Sequence, residues 1–194
     1  MDCTIEYINN WLKANLTEER YLHSLGTAEC ARELAKKYKL DEEKAYFTGL
    51  IHDCAKCMPK SETESILKNL TLECGEFDNP KTHHAPVGAY IARKEFGIKD
   101  EEILSAIRWH TLGKVDMTIF EKIIFLADKI ETRTRPKECI DIVKFLDEDN
   151  GLNKAILTCY KNTIKSLVDR DLQICINTID IYNSLLKDIK NFAK

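Results

Sequence analysis

Three polar features of this chain sit where a polar side chain is costly. His52-Asp53 follows an apolar run that includes Phe47, Leu50 and Ile51. Asp128 interrupts the segment IIFLADKI, and His23 lies among Tyr21, Leu22 and Leu25. A carboxylate or imidazole in such a setting must be hydrogen-bonded, paired or bound to metal, because its desolvation is expensive. Singly, each has an ordinary structural explanation: a capping pair, a salt bridge, a core histidine bonded to a carbonyl. Together they supply two imidazoles and two carboxylates from three or four helices, a set that suits Fe, Mn, Zn or Co. A metal held this way with an open position lowers the pKa of its water toward ~7 and makes a nucleophile.

Two further histidines fit beside them. His84 precedes Ala85-Pro86 at a helix start, and His110 falls at a helix end, where side chains converge readily on a site. His83 reads as a solvated capping residue. All five histidines precede residue 111, so the chemistry is confined to the first part of the chain.

The elements that must carry these residues are helical. Apolar residues recur at 3.6-residue spacing almost throughout, and no period-2 run of useful length appears. Ile5, Ile8, Trp11, Leu12 and Leu16 mark a first helix over 3–15. Thr17 caps a second, running to about Tyr38, with Leu22, Leu25, Ala28, Ala31, Leu34 and Ala35 inward. Asp41 caps a third that stops before Pro59. Ser61-Glu62-Thr63-Glu64 reads as a capping box for a short helix through Leu70. Residues 71–82, with Gly75, Asn79 and Pro80, form a loop. A helix from His84 ends at Gly97. Another runs from Asp100 to about His110, and Thr118 opens a strongly apolar one with Ile119, Ile123, Ile124, Phe125, Leu126, Ala127 and Ile130. After Pro136, residues 137–149 predict a short helix. Residues 152–191 predict one long helix or two, broken around Asp169-Arg170-Asp171, that pack onto the bundle or form a dimer surface. The fold class is all-α, a helical bundle of one domain spanning 1–194.

Composition removes several alternatives. A net charge of −3 offers no basic field for nucleic acid or an anionic membrane. No segment approaches the ~18 apolar residues of a membrane span. The N-terminal segment lacks a basic region followed by a continuous apolar one, so a cytoplasmic protein with reduced cysteines is expected. Cys54 and Cys57 form a lone CxxC with no second pair, which is weak evidence for zinc.

The order His … His-Asp … Asp resembles the signature of HD-domain metal phosphohydrolases. Five segments sharpen the likeness: Arg20-Tyr-Leu-His23-Ser-Leu-Gly26, His52-Asp53-Cys-Ala-Lys56, His84-Ala-Pro-Val-Gly88, Ala106-Ile-Arg-Trp-His110-Thr111 and Ile123 through Glu131. These look like the successive motifs of the YqeK-type branch, the symmetrical diadenosine tetraphosphate (Ap4A) hydrolases, over roughly residues 17–135. The resemblance implies that His23, His52, Asp53 and Asp128 bind metal. It implies that Asp53, His84 and His110 take part in catalysis, with His84 and His110 binding either a second ion or phosphate. It implies phosphate contact by Arg20, Lys56 and Thr111, and by Arg133 or Arg135 where the branch carries an arginine after Pro. The implied cofactor is a divalent transition metal, iron by preference, as one or two ions. The implied partners are a dinucleoside polyphosphate and ADP. No acidic pair follows His-Asp and no Gly-Tyr-Pro occurs, which counts against guanosine pentaphosphate and cyclic-di-GMP as substrates. The second reading is an HD-class nucleoside monophosphate phosphohydrolase, and the third a non-catalytic nucleotide-binding HD regulator.

Overall fold

The computed structural model describes residues 5–73, 76, 79–136 and 141–192, and every regular element among them is helical. The helices are α1 (Ile5–Asn15), α2 (Glu18–Lys37), α3 (Glu42–Ile51), α4 (Lys60–Leu67), α5 (His84–Lys94), α6 (Glu101–Trp109), α7 (Ile119–Ile130), α8 (Gly151–Asp169) and α9 (Ile176–Phe192). Short 3₁₀ turns occupy Pro80–Thr82 and Asp141–Asp147.

The caps follow the sequence. Thr17, Asp41 and Asp100 each accept a backbone N–H from the first turn of the helix they open. Thr118 and Glu121 form a complete capping box on α7. Gly97 ends the α5 segment in the left-handed region with φ +68°. The expected box at Ser61–Glu64 does not form. α4 begins two residues earlier, behind Pro59, whose fixed φ already suits a helix start, and it ends at Leu67 rather than Leu70.

The core has two apolar clusters. One joins α1, α2, α3, α5 and α6 through Ile8, Leu12, Leu50, Ile51, Val87 and Ile107. The other joins α2, α3, α6, α7, α8 and α9 through Leu34, Ala45, Ala106, Ile123, Phe125, Ile156 and Ile181. Helices α2, α3 and α6 contribute to both, so the polar residues they carry are held from two sides.

Some residues expected inward are exposed: Leu22 on α2, Ile119 at the start of α7, and Val168, Leu172, Ile176 and Ile179 around the turn between α8 and α9. On α2 the expected Ala28, Ala31, Leu34 and Ala35 are inward, and the first part of the stripe is built from small and polar residues, His23, Ser24, Gly26 and Thr27. Close helix packing selects small side chains, and a hydrophobicity pattern does not register that. The break between α8 and α9 spans the expected Asp169–Asp171, and Asp171 has φ +50°. Of the helix expected over 137–149, residues 137–140 lie outside the described part, as does Gly75 in the loop before α5.

Candidate metal centre

Asp53 lies just past the C-terminus of α3, beside His52, which ends that helix. Its carboxylate is the meeting point of four imidazoles. Oδ1 is 3.1 Å from His84 Nε2 and 3.3 Å from His110 Nε2. Oδ2 is 3.9 Å from His52 Nε2 and 4.0 Å from His23 Nε2. Asp128, on α7, brings Oδ1 to 3.0 Å from His23 Nε2 and 3.9 Å from His52 Nε2. His23 comes from α2, His84 from the start of α5 and His110 from the end of α6. All six residues are buried.

The outer nitrogen of each ring fixes how it presents the inner one. Nδ1–H donates to the carbonyl of Gly49 in His52 (2.6 Å), of Ile107 in His110 (2.6 Å) and of Lys81 in His84 (2.9 Å). In His23 it donates to Glu131 Oε1 at 3.0 Å. These partners only accept, so His52, His84 and His110 keep their proton on Nδ1 and turn the Nε2 lone pair inward, whereas His23 meets a carboxylate at both nitrogens. The inner atoms are therefore mainly acceptors facing acceptors, with His84 and His110 Nε2 3.2 Å apart. His52 Nε2 and Asp53 Oδ1 are fully buried without a hydrogen-bond partner. Buried lone pairs that converge on one another need a cation.

Two groups satisfy the spacing for one: His23, His52 and Asp53, and Asp53, His84 and His110. Asp53 belongs to both. The donor set of imidazole nitrogen and carboxylate oxygen fits a divalent transition metal.

Electrostatics keep these groups in ligand form. Burial pushes the His52 pKa down to about 3, so the ring stays neutral. Burial also lowers His84. Burial opposes ionisation of Asp128, but Lys129, His23 and Arg135 outweigh it and hold its carboxyl well below the usual range. His23 differs. Burial would lower its pKa, yet Asp128 and Glu131 raise it on balance.

Cations ring the cluster. Arg20 Nη1 lies 3.7 Å from Asp53 Oδ2. Lys56 Nζ lies 3.7 Å from Asp53 Oδ1 and 3.0 Å from His84 Nε2, and burial lowers its pKa. Arg135 bonds Asp128 Oδ1 at 2.5 Å and the Asp128 carbonyl at 2.7 Å. The Thr111 hydroxyl is 3.1 Å from His84 Nε2 and 3.0 Å from His110 Nε2.

Of the residues singled out in the sequence, the structure does not bring Arg133 to the cluster. Its guanidinium pairs with Glu29 at 2.6 Å and 3.0 Å on the exposed surface of α2. Of the two candidate arginines, Arg135 is the one that reaches the site. Cys54 is buried with Sγ 3.6 Å from the Gly88 carbonyl, while Cys57 is exposed.

Sequence reasoning gave no role to Glu131 or Lys129. Glu131 is fully buried, orients His23, and is itself held by the N–H groups of Arg133 and Thr134 and the Thr134 hydroxyl. Lys129 Nζ sits 2.5 Å from Asp128 Oδ2. The signal was an acidic residue closing an otherwise apolar helix three positions after Asp128. Gly26 makes room for Glu131, since a Cβ there would lie 2.2 Å from Glu131 Oε2.

Comparison with known proteins agrees with this geometry. The HD domain family model matches residues 20–133. The symmetrical bis(5'-nucleosyl)-tetraphosphatase of Bacillus subtilis is 40% identical over 90% of this chain and 94% of its own length. The enzyme of the same name from Staphylococcus aureus is 37% identical over 92% of this chain and 93% of its own. A crystal structure of a predicted HD superfamily hydrolase involved in NAD metabolism from Clostridium acetobutylicum superposes with a TM-score of 0.88 at 40% identity. The match covers 95% of this chain and 98% of that one. Motif order, helical architecture and relatives matched end to end lead to one assignment: the chain belongs to the HD-domain hydrolases and, within them, to the family of symmetrical bis(5'-nucleosyl)-tetraphosphatases.

Proposed function

We propose that this chain hydrolyses Ap4A at its central anhydride to two ADP, using divalent transition metal held at the cluster. The carrying observation is the set of four imidazole Nε2 atoms turned toward the shared carboxylate of Asp53. His23, His52, Asp53 and Asp128 would hold one ion. His84 and His110, with Asp53 shared, would hold a second, and their facing lone pairs favour a cation over direct contact with an anionic phosphate. Iron is the ion we propose first. When bound, the metal supplies Lewis acidity and a water acidified toward neutral pH.

The rest of the work falls to side chains of this chain. Water oxygen adds to a central phosphorus and gives up a proton to solvent, the bridging P–O bond breaks, and the departing ADP keeps the bridging oxygen. ADP leaves as a stable anion, so positioning and charge neutralisation dominate. Arg20 and Lys56, on opposite oxygens of Asp53, supply positive charge where the phosphoryl oxygens gain negative charge. The Thr111 hydroxyl donates beside His84 and His110, and Arg135 anchors Asp128 and adds a further cation. Asp53 orients the attacking water from the centre of the cluster.

The test is metal analysis of the purified protein, followed by Ap4A turnover with product separation. A transition metal and two ADP per Ap4A are expected. AMP plus ATP, or no turnover after Fe²⁺ or Mn²⁺ is supplied, would overturn the proposal.

A further inference from the structure

His83 is a capping residue that caps nothing: it precedes α5 without a side-chain cap bond. It is half-buried, and its Nε2 is shielded from solvent without a hydrogen-bond partner. A buried polar atom without a partner is uncommon and costly. The His83 ring also forms part of the wall of a cavity of about 350 Å³, within the range of small-molecule sites at roughly 300–1,000 Å³. Lys56 and His84, both within reach of Asp53, form part of its wall. The space therefore adjoins the metal centre. Lys60 and Lys81 add positive charge to its lining, Glu64 lies 3.7 Å from Lys60, and Met58 and Pro80 add apolar surface.

That lining has two characters. Its cations suit phosphate, and its soft apolar side chains suit a base or ribose. Symmetrical cleavage leaves a nucleoside diphosphate on each side of the broken bond, so each arm of the substrate needs its own place beside Asp53. We propose that this cavity receives one nucleoside-diphosphate arm, with His83, Lys60 and Lys81 recognising it beyond the reacting phosphorus. The inference rests on the tetraphosphatase reading and deepens it. Lys56 meets the phosphate nearest the cleaved bond. A turn of the half-buried His83 ring lets Nε2 gain its missing partner from the arm, and the two lysines meet the outer phosphate.

The experiment compares His83→Ala and the double variant Lys60→Ala/Lys81→Ala with the parent protein. It measures metal content, Ap4A kinetics, and ADP binding by calorimetry. For each variant the KM for Ap4A and the Kd for ADP should rise about tenfold, with kcat within about threefold and metal content unchanged. KM and Kd within about twofold of the parent in both variants, while the parent makes two ADP, would overturn the inference and leave the activity standing. Loss of ADP affinity in the variants of a parent that does not cleave Ap4A would do the reverse. The cavity would stand as a nucleoside-diphosphate site and the tetraphosphatase reading would fall. Should His83→Ala also lose metal through its neighbour His84, the rim lysines decide the matter.

Discussion

At the scale of single residues, Asp53 does the most. It is the only side chain shared by the two clusters of metal-compatible groups among the described residues. Removing an outer-shell partner of a metal ligand commonly costs 10–100-fold in affinity or activity. Asp53→Ala removes a shared ligand, so it should lower both metal content and Ap4A turnover by at least about a hundredfold. Metal analysis and turnover on the same preparation check this. Full activity in that variant would place the chemistry elsewhere. The residue scale also separates two arginines two positions apart. Arg135 is drawn inward by Asp128, whereas Arg133 is held outward by Glu29.

At the scale of elements, the site depends on how closely α2 approaches its neighbours. Gly49 on α3 lies against α2, where a Cβ would come within 2.8 Å of Ala28 Cα. The carbonyl of Gly49 also orients His52, so packing and ligand geometry share one residue. Gly26 does the same for Glu131 and, through it, for His23. Gly26→Ala should displace Glu131 and cost about 1–3 kcal/mol as an overpacked core position. It should also weaken metal binding about tenfold or more by loosening His23. Urea denaturation and metal titration read the two effects separately. Unchanged metal affinity would mean that Glu131 has another way to hold His23.

At the scale of the whole molecule, the last two helices share an apolar cluster with α7, and among the described residues the two groups of metal-compatible side chains draw on neither. Ile156, fully buried, and Tyr160, stacked on Phe125 with centroids 5.4 Å apart, back the α7 helix that carries Asp128. We propose that α8 and α9 form one domain with the motif-bearing helices. Ile156→Ala should destabilise the whole chain by about 2–5 kcal/mol. Turnover per folded molecule should stay near that of the parent, as measured by denaturation midpoint and by activity well below it. Unaltered stability would mean that the tail folds apart from the motif-bearing helices.

Much of the fold and the candidate site was legible because two periodic signals dominate the sequence. Helical spacing of apolar residues gave nearly every element. Thr17, Asp41, Asp100 and Thr118 gave four starts, since an N-cap is satisfied by its own next turn. Polar residues stranded in apolar runs gave His23, His52, Asp53 and Asp128, because burial of such groups demands a partner. Only the tertiary structure decided the rest, and the reason is the same in each case: the deciding contact joins residues far apart in the chain. The place of Glu131 depends on Gly26, that of Arg133 on Glu29, and that of His83 on a cavity whose wall it shares with Lys56. The sequence by itself determined which residues could bind metal and phosphate. Folding determined which nitrogen of each ring faces inward, which arginine joins them, and where a substrate arm has room to lie.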